Sequence, residues 1–309
     1  MRGLYVLRKE NKTMKKRIGI ILLTAIVAIF AFALTACGGL SGAEINKETY
    51  EKAAENFAKA IEENSFKIVV STDSTYKYES TSVYTSKPDL FSIKYSKSIN
   101  SYTAKISTKT TLIIEENKAY FKEESTSETI EFDGNSEDKK EITEYYIEKI
   151  GKTFYLIEKN LNNNWVAISK NTYAENYTML DHMKSRINST SGIANLSSYA
   201  FDDLSYASGR YNVKKTVTDE KNKASENKDT DTAKYTYTYY KQNMYFVFNN
   251  DGLYSGYVTD NDTANTKDST DDYTVFTQTQ TASAKNTNLK TISITYGDGD
   301  TVSIPSYEK

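Results

Sequence analysis

The amino-acid sequence predicts an α+β protein in which a long antiparallel sheet has helices covering one face. Two long stretches alternate apolar and polar residues with a period of two, which is typical of strands. One stretch near the N-terminus and another in the middle show helical spacing instead. The 309 residues include 26 tyrosines and only two prolines, a composition that favours strands. Because such a sheet buries one face, the helices are its natural cover.

The first predicted element is a helix over residues 47–64. Its apolar residues recur at i, i+3, i+4 and i+7, with good helix formers between them. These residues are Tyr50, Ala53, Ala54, Phe57, Ala60 and Ile61. The helix should therefore bury one face against the sheet.

A first meander of strands follows this helix. It opens with a long alternation from Phe66 to Tyr78. The residues at 132–135, Phe-Asp-Gly-Asn, are typical of a tight turn. Further strands are predicted at 91–95, 102–114, 119–123, 129–132, 144–148, 153–158 and 165–169.

Two helices are predicted in the middle of the chain. The apolar stripe of the first consists of Tyr173, Tyr177, Leu180, Met183 and Ile187. After a break near Gly192, the stripe of the second consists of Ile193, Leu196, Ala200 and Leu204. Both stripes have the 3.6-residue period of a helix that packs on a sheet.

A second meander closes the chain. Two polar, charged stretches within it, 219–233 and 260–271, have little to bury and predict exposed loops. Turns rich in Asn, Asp and Gly are predicted at 249–252 and 297–300. The strands of this meander are predicted at 211–217, 234–240, 244–248, 253–259, 273–279, 289–296 and 301–305.

Residues 14–37 have the layout of a secretory signal. Three basic residues, 15–17, precede an apolar run from Ile18 to Leu34, and small residues follow it up to Cys37. Because the residue after the predicted cut between Ala36 and Cys37 is a cysteine, the segment resembles a bacterial lipoprotein signal with its lipobox. A transmembrane anchor is the alternative, since 17 residues is the lower limit for crossing a hydrocarbon core of about 30 Å.

Cleavage at this point divides the chain into a signal peptide, 1–36, a lipidated tether, 37–47, and a single domain, 48–309. We expect translation to begin at Met14, directly before the basic residues. Acyl chains on Cys37 would hold the protein at the membrane, where two chains anchor stably and one binds only marginally. The sequence therefore predicts a monomer on the extracytoplasmic face of a bacterial cell membrane.

The predicted mature chain is acidic. Without residues 1–36, 32 of the 39 basic and 40 of the 41 acidic residues remain, a net charge near −8. This charge disfavours nucleic acid, which needs a basic surface. It also repels anionic lipid headgroups, so the anchor alone should hold the protein there. Once Cys37 is acylated, no thiol remains for a disulfide, a thiolate metal site or a nucleophile.

No motif in the chain predicts catalysis, a cofactor or a metal site. His182 is the only histidine, too few for a triad or a histidine-rich metal site, and we interpret it as a structural or surface residue. Ser74 and Lys77 match the S-x-x-K motif, as do Ser225 and Lys228. That motif needs one helical turn between its residues, whereas the first pair lies in a predicted strand and the second in a predicted loop.

Two further patterns leave alternatives open. Residues 260–271 place acids at positions 1, 3, 9 and 12 of a calcium-loop pattern, but Ala264 and Asn265 occupy positions that need an oxygen ligand and a glycine. A solvated loop explains this stretch better. Tyr235, Tyr237 and Tyr239, in phase along one predicted strand, indicate either a packed sheet face or an aromatic platform for sugars.

The order of elements after the lipobox resembles the half-barrel lipoproteins. The strings that carry the resemblance are Asn163-Asn164-Trp165-Val166, Leu204-Ser205-Tyr206 and the ending from Ile292 to Pro305. This family includes the LolA-like lipoprotein carriers and the mycobacterial LppX/LprG-type proteins. The resemblance implies a curved sheet, open as a half-barrel, whose concave face is covered by the N-terminal helix and the central helical pair. It also implies an apolar cavity that accepts acyl chains.

Two functions follow as hypotheses. The first is a non-enzymatic lipoprotein that binds or carries a lipid or acyl ligand in a cavity lined by Tyr177, Leu180, Met183, Ile187 and Leu196. A helix that simply plugs the sheet would carry the same stripe. The alternative function is a cell-envelope interaction module that binds wall glycan or a membrane-protein partner. A large apolar cavity would favour the carrier, whereas a close-packed interior with clustered surface tyrosines would favour the module.

Overall fold

The computed structural model describes residues 40–86, 95–131, 133–214, 223–226, 232–272, 276–297 and 301–308. The signal segment, the lipidation site at Cys37 and part of the strand predicted at 91–95 lie outside these residues. From Ser41 onward the chain belongs to one compact unit.

Twelve strands form a single open sheet in the described part of the chain, and every strand pairing in it is antiparallel. The strands of the first half are β1 (Phe66–Ser86), β2 (Tyr95–Ile114), β3 (Lys118–Glu131), β4 (Ser136–Ile150), β5 (Thr153–Lys159) and β6 (Trp165–Thr172). Those of the second half are β7 (Leu204–Ala207), β8 (Arg210–Val213), β9 (Lys223–Glu226), β10 (Thr232–Phe248), β11 (Tyr254–Asp272) and β12 (Phe276–Tyr296). The predicted α+β class with a long antiparallel sheet is confirmed.

The two meanders join through their outer strands. The order across the sheet is β6-β5-β4-β3-β2-β1-β12-β11-β10-β8-β7, with β9 paired to β10. Strands β1 and β12 pair from Phe66 opposite Tyr296 to Ser86 opposite Phe276. This register places the apolar end of each strand beside that of the other, because a shift by one residue would turn every side chain to the opposite face.

Four helices accompany the sheet in the described residues: α1 (Lys47–Glu51), α2 (Ala53–Glu63), α3 (Met179–Ser191) and α4 (Ile193–Leu196). The side-chain oxygen of Asn46 caps α1 by accepting a hydrogen bond from the backbone N–H of Thr49 at 2.8 Å. Helix α2 packs against β11, and α3 packs against β1, β2 and β12. The helices therefore cover the apolar end of one sheet face.

The core lies between these helices and the sheet. The helices contribute Tyr50 and Phe57 from α1 and α2, and Met179 and Met183 from α3. The sheet side of this core includes Phe66, Ile68, Leu112, Ile114, Phe121, Phe154, Phe246, Phe248, Tyr254, Ile292 and Ile294. The opposite face of β3 to β6 is covered by residues 301–308, in which Val302 is buried and Glu308 bridges to Val166.

The central helices are shorter than predicted. Helix α3 begins at Met179 rather than near Tyr173, because Thr178 forms its N-cap. The second helix ends at Leu196, so that Ala200 precedes a single 3-10 turn (Phe201–Asp203) and Leu204 starts β7. Gly192, with φ of 65°, separates α3 from α4 as the predicted break requires.

The two predicted loops are wrong wherever the structure describes them. Strand β11 runs through 260–271, and β9 and the start of β10 occupy parts of 219–233. In β11 the polar residues pair with β10 on one side and β12 on the other, so backbone hydrogen bonds stabilise a strand that has little apolar surface. Residues 301–305 were predicted as a strand but have no regular secondary structure.

The folded unit also begins before the predicted boundary at residue 48. The backbone N–H of Gly42 donates to the carbonyl oxygen of Gly209 at 2.8 Å, and that of Ala43 donates to Phe248 at 2.9 Å. The hydroxyl of Tyr211 donates to the carbonyl oxygen of Ile45 at 2.7 Å. Residues 42–45, assigned to the tether from the sequence, are thus attached to β8 and β10.

Candidate functional site

The five residues predicted to line a ligand cavity fall into two groups. Met183, Ile187 and Leu196 are buried, with 3–4% of each side chain exposed, and they belong to the core. Tyr177 and Leu180 are half-buried and pack at its margin. Three of the five therefore belong to the core packed between the helices and the sheet.

The hydroxyls of buried Tyr254 and half-buried Tyr296 link the helix and sheet layers. Tyr254 is fully buried, and its hydroxyl donates to the carbonyl oxygen of Ser191 at the end of α3, at 3.2 Å. The hydroxyl of Tyr296 donates to the carbonyl oxygen of Tyr254 at 2.5 Å. Burial raises the pKa of both phenols, so they remain protonated donors.

A groove of about 360 Å³ lies between α2 and α3. Its apolar lining is formed by Ala54, Phe57, Ala58, Ile61, Leu180, Ile187 and Ile193. Glu62, Asp181 and Lys184 add charged groups to the same groove. Leu180 and Ile187 are thus the two predicted cavity residues that line an open groove.

His182 has a packing role in the structure. Its ring stacks on Phe154 with the centroids 4.7 Å apart, and the rings of Tyr173 and Tyr177 lie edge-on to it at 5.6 and 6.2 Å. Burial lowers the pKa of the imidazole, which favours its neutral form.

The long strands continue past the residues that the helices bury. Between residues 71 and 84 of β1, every side chain is half-buried or exposed except that of Ser80. A strand of 21 residues is about 70 Å long. We call this part of β1, together with the residues paired to it on β2 and β12 and the β11 residues paired to that part of β12, the extended sheet.

One face of the extended sheet carries three adjacent tyrosines, Tyr76, Tyr78 and Tyr102, which we call the tyrosine patch. Tyr102 pairs with Tyr78 across β1 and β2, and its ring lies 5.5 Å from each of the other two rings. Its side chain is 37% exposed. Burial and the neighbouring Tyr102 raise the pKa of Tyr76, so its hydroxyl stays protonated.

The two faces of the extended sheet differ in charge. On β1, residues 72, 74, 76, 78 and 80 are Thr, Ser, Tyr, Tyr and Ser, whereas the opposite face carries Asp73, Lys77 and Glu79. Among the residues paired with β1 on β2 and β12, Lys105 and Lys285 lie on the charged face. On the patch face of the four strands of the extended sheet, Lys290 is the one charged side chain among those described opposite Thr72 to Ser80.

The two S-x-x-K matches have no catalytic geometry in the described residues. Ser74 lies in β1 with Lys77 on the opposite face, and its hydroxyl accepts a hydrogen bond from the Asn288 amide at 2.7 Å. Ser225 lies in β9, whereas Lys228 is outside the described residues.

The other two patterns also lie in strands. The calcium-loop pattern is part of β11, where it cannot fold around an ion as a loop would. A bulge between Tyr237 and Tyr239 interrupts the alternation predicted for Tyr235, Tyr237 and Tyr239 in β10, and their side chains lie outside the described residues.

Within the described ranges, no group of three or more His, Cys, Asp or Glu residues is placed to hold a metal ion. Searched over those same ranges, the helices include none with the length and apolar character needed to cross a membrane. Cys37 and the predicted cleavage site lie outside them.

No protein-family model matches this chain, and no curated protein does. The fold and the candidate site define a class of protein with an open antiparallel sheet and helices on one face. Its long strands continue past the helices as the extended sheet, whose two faces differ in charge.

Sequence reasoning missed the tyrosine patch and the β7–β8 hairpin. The sequence shows that Tyr76 and Tyr78 share one face of a strand, but the pairing that brings Tyr102 beside them depends on the register of two strands. The hairpin turns at Ser208 and Gly209, both with positive φ. A Ser-Gly pair between alternating residues is a signal that could have located this turn.

Proposed function

We propose that this chain is a non-enzymatic bacterial lipoprotein, anchored by acyl chains on Cys37 at the extracytoplasmic face of the membrane, whose extended sheet binds a component of the cell envelope. The lipobox-like residues 34–37 support the anchor. The extended sheet carries the proposal of binding, because β1, β2, β11 and β12 continue beyond the helices with accessible side chains on both faces.

Packing between helices and sheet supports this interaction module over an acyl carrier. Met183, Ile187 and Leu196 are buried against other core residues, and Tyr254 is buried beneath α3. A ligand between these layers would have to displace them. Moving close-packed side chains out of a core is costly, whereas binding on an exposed sheet requires no such rearrangement.

The short distance along the chain between anchor and fold favours a partner near the membrane. Gly42 already bonds to the sheet, and it lies five residues after Cys37. Five residues reach at most about 17 Å when fully extended. Envelope polymers and the outer parts of membrane proteins lie within reach of a sheet attached in this way.

Cosedimentation tests the proposal. Purified chain lacking the lipidated cysteine, residues 38–309, is mixed with isolated cell walls and separately with protein-containing membrane vesicles from the bacterium that encodes it. Binding to either preparation supports an envelope interaction. If the protein stays in the supernatant with both, the interaction module is contradicted.

The anchor is tested separately with the full-length chain. Cys37→Ser removes the sulfur that acylation requires, so the protein should move from the membrane fraction to the soluble fraction. A Cys37→Ser protein that remains in the membrane fraction would contradict the lipid anchor and favour a transmembrane segment.

A second candidate is the acyl carrier in the half-barrel arrangement that the resemblance implies, and the groove between α2 and α3 favours it. Lipid extracted from the purified protein and measured by mass spectrometry would reveal a stoichiometric ligand. Leu180→Asp in the groove should abolish that ligand, whereas Leu161→Asp, at a fully exposed turn, should not. If no lipid is extracted from the protein after incubation with native membranes, the acyl-carrier function is contradicted.

A further inference from the structure

We infer that the tyrosine patch is a binding site for a neutral glycan; this rests on the proposed function and names its ligand class. Three phenol rings lie side by side on one sheet face, with Tyr102 in contact distance of Tyr76 and Tyr78. Sugar rings have apolar C–H faces and polar hydroxyl edges. Tyrosine side chains present the same combination of an apolar ring and a polar hydroxyl, and here one ring is exposed and two are half-buried.

On β12, the patch is flanked by uncharged hydrogen-bonding groups. Asn286 lies opposite Tyr76 on β12, and Asn288 is the next residue on that face, where its amide donates to Ser74. Amides and hydroxyls both donate and accept, which suits the hydroxyls of a sugar. The small side chains of Ala104 and Ala284, opposite Tyr76 and Tyr78, leave the rings accessible from the sides.

Charge argues for a neutral polymer. Glu131 on β3 lies directly opposite Tyr102 and is exposed, so it would repel an anionic polymer at the patch. Lys290 lies opposite Thr72, four residues along the strand from the pair of Tyr76 and Asn286, or about 13 Å away. The charged groups Lys77, Glu79 and Asp73 all face the other side of the sheet. A neutral glycan therefore fits better than a polyanion.

The same features disfavour a protein partner at this patch. The centre of a protein interface is typically enriched in large apolar side chains and arginine. Among the described side chains on the patch face of β1, β2 and β12 near the three tyrosines, Ile106 is the large aliphatic one, and the other neighbours are Ala, Ser, Thr and Asn.

The sheet also holds the rings in place before binding. Both β1 and β2 are paired on each side, β1 with β2 and β12 and β2 with β1 and β3. These pairings fix the backbone that carries the rings, so little main-chain ordering is needed when a ligand binds, which favours recognition of a flexible polymer.

A microarray of neutral and anionic microbial glycans, probed with residues 38–309, tests the inference. We expect wild-type protein to bind neutral glycans, and Tyr102→Ala to weaken the binding about tenfold, as truncation of a central aromatic contact does. Tyr102→Phe keeps the ring and should lose only about threefold, the effect of one neutral hydrogen bond.

Leu289→Ala is the matched control, because Leu289 is an exposed large side chain on the opposite face of β12. It should leave binding unchanged. Thermal melting of each variant separates lost binding from lost folding, and Tyr102→Phe covers the case in which Tyr102→Ala does not fold.

Each other outcome overturns the inference. Binding of anionic glycans alone contradicts the ligand class, and neutral binding that survives Tyr102→Ala contradicts the site. If the protein sediments with walls or membranes but binds no glycan on the array, the glycan site is contradicted and the interaction module is still supported. If it binds in neither assay, both proposals are contradicted.

Discussion

The imidazole of His182 lies parallel to the ring of Phe154, with 4.7 Å between the centroids and 20° between the planes. The contact joins α3 to β5 at the margin of the core. Lys149 lies 5.7 Å from the centre of the same Phe154 ring, so a positive charge is already present nearby. Burial makes a positive charge on His182 unfavourable.

We expect this contact to make stability depend on pH. Burial lowers the pKa of His182 in the folded protein below 6.5, its ordinary value. Above pH 6.5 both states hold a neutral ring, and the contact contributes fully. As the pH falls below that value, the unfolded chain binds a proton that the folded chain resists, so the free energy of unfolding decreases until the folded pKa is passed.

His182→Phe keeps a stacked ring and removes the titration. Urea unfolding at several pH values between 7 and 5 should show a flatter profile for the variant than for the wild type. Parallel profiles would mean that His182 titrates alike in both states.

The capping box at the start of α3 predicts a loss of stability in Thr178→Ala. The Thr178 hydroxyl accepts from the backbone N–H of Asp181 at 3.1 Å, and the Asp181 carboxylate accepts from the backbone N–H of Thr178 at 2.9 Å. Loss of such a cap costs about 1 kcal/mol, or about 2–4 °C in Tm for a domain of this size. Ser185→Ala, at an exposed position within α3, is the control and should not lower the Tm.

The same cap should also affect the pKa of Asp181. Hydrogen bonds from the backbone and hydroxyl of Thr178 lower the pKa of Asp181 from its ordinary value of 3.8. This contribution to stability is present above pH 3.8 and is lost as the pH falls through the lowered pKa. NMR titration of Asp181 should show its pKa move upward in Thr178→Ala, and an unchanged pKa would contradict the role of the cap.

Gly192→Ala should be strongly destabilising. Gly192 has φ of 65°, and a Cβ there would lie 2.0 Å from Cε1 of the buried Tyr257 ring. Strain and overpacking together should cost about 2–4 kcal/mol. Gly151→Ala has a similar φ of 61° with no atom within 4 Å of the added Cβ, so it isolates the conformational part, about 1 kcal/mol. Equal losses measured by denaturant unfolding would contradict the steric clash with Tyr257.

Residues 301–308 should stabilise the far face of β3 to β6. The hydroxyl of Tyr307 donates to the Glu148 carboxylate at 2.6 Å, and the Glu308 backbone bonds to Trp165 and Ala167 on β6. Ending the chain at residue 300 should therefore speed hydrogen exchange in β5 and β6 more than in β1 or β12. Tyr307→Phe should cost about 1 kcal/mol, and Ser306→Ala, an exposed neighbour, should be neutral. Uniform exchange changes across the sheet would contradict a local role.

Local patterns were sufficient for part of this fold. The apolar stripe around Phe57 predicts one helix over 47–64, which the structure divides at Lys52 into α1 and α2. The alternation from Phe66 onward predicts β1, because a period is a property of neighbouring residues. The break at Gly192 was readable for the same reason. The start of α3 was placed too early, since the apolar side chains of Tyr173 and Tyr177 match the stripe but pack on Phe154 from outside the helix.

By itself, the sequence determined the α+β class, the helical regions near the N-terminus and in the middle of the chain, and the lipobox-like segment at Cys37, on which the proposed anchor depends. Only the tertiary structure decided that residues 260–271 form a strand, that Met183 and Ile187 are buried, and that Tyr102 joins Tyr76 and Tyr78. The physical reason is strand pairing. Hydrogen bonds from flanking strands stabilise a polar strand, and the register between distant segments determines which side chains are adjacent.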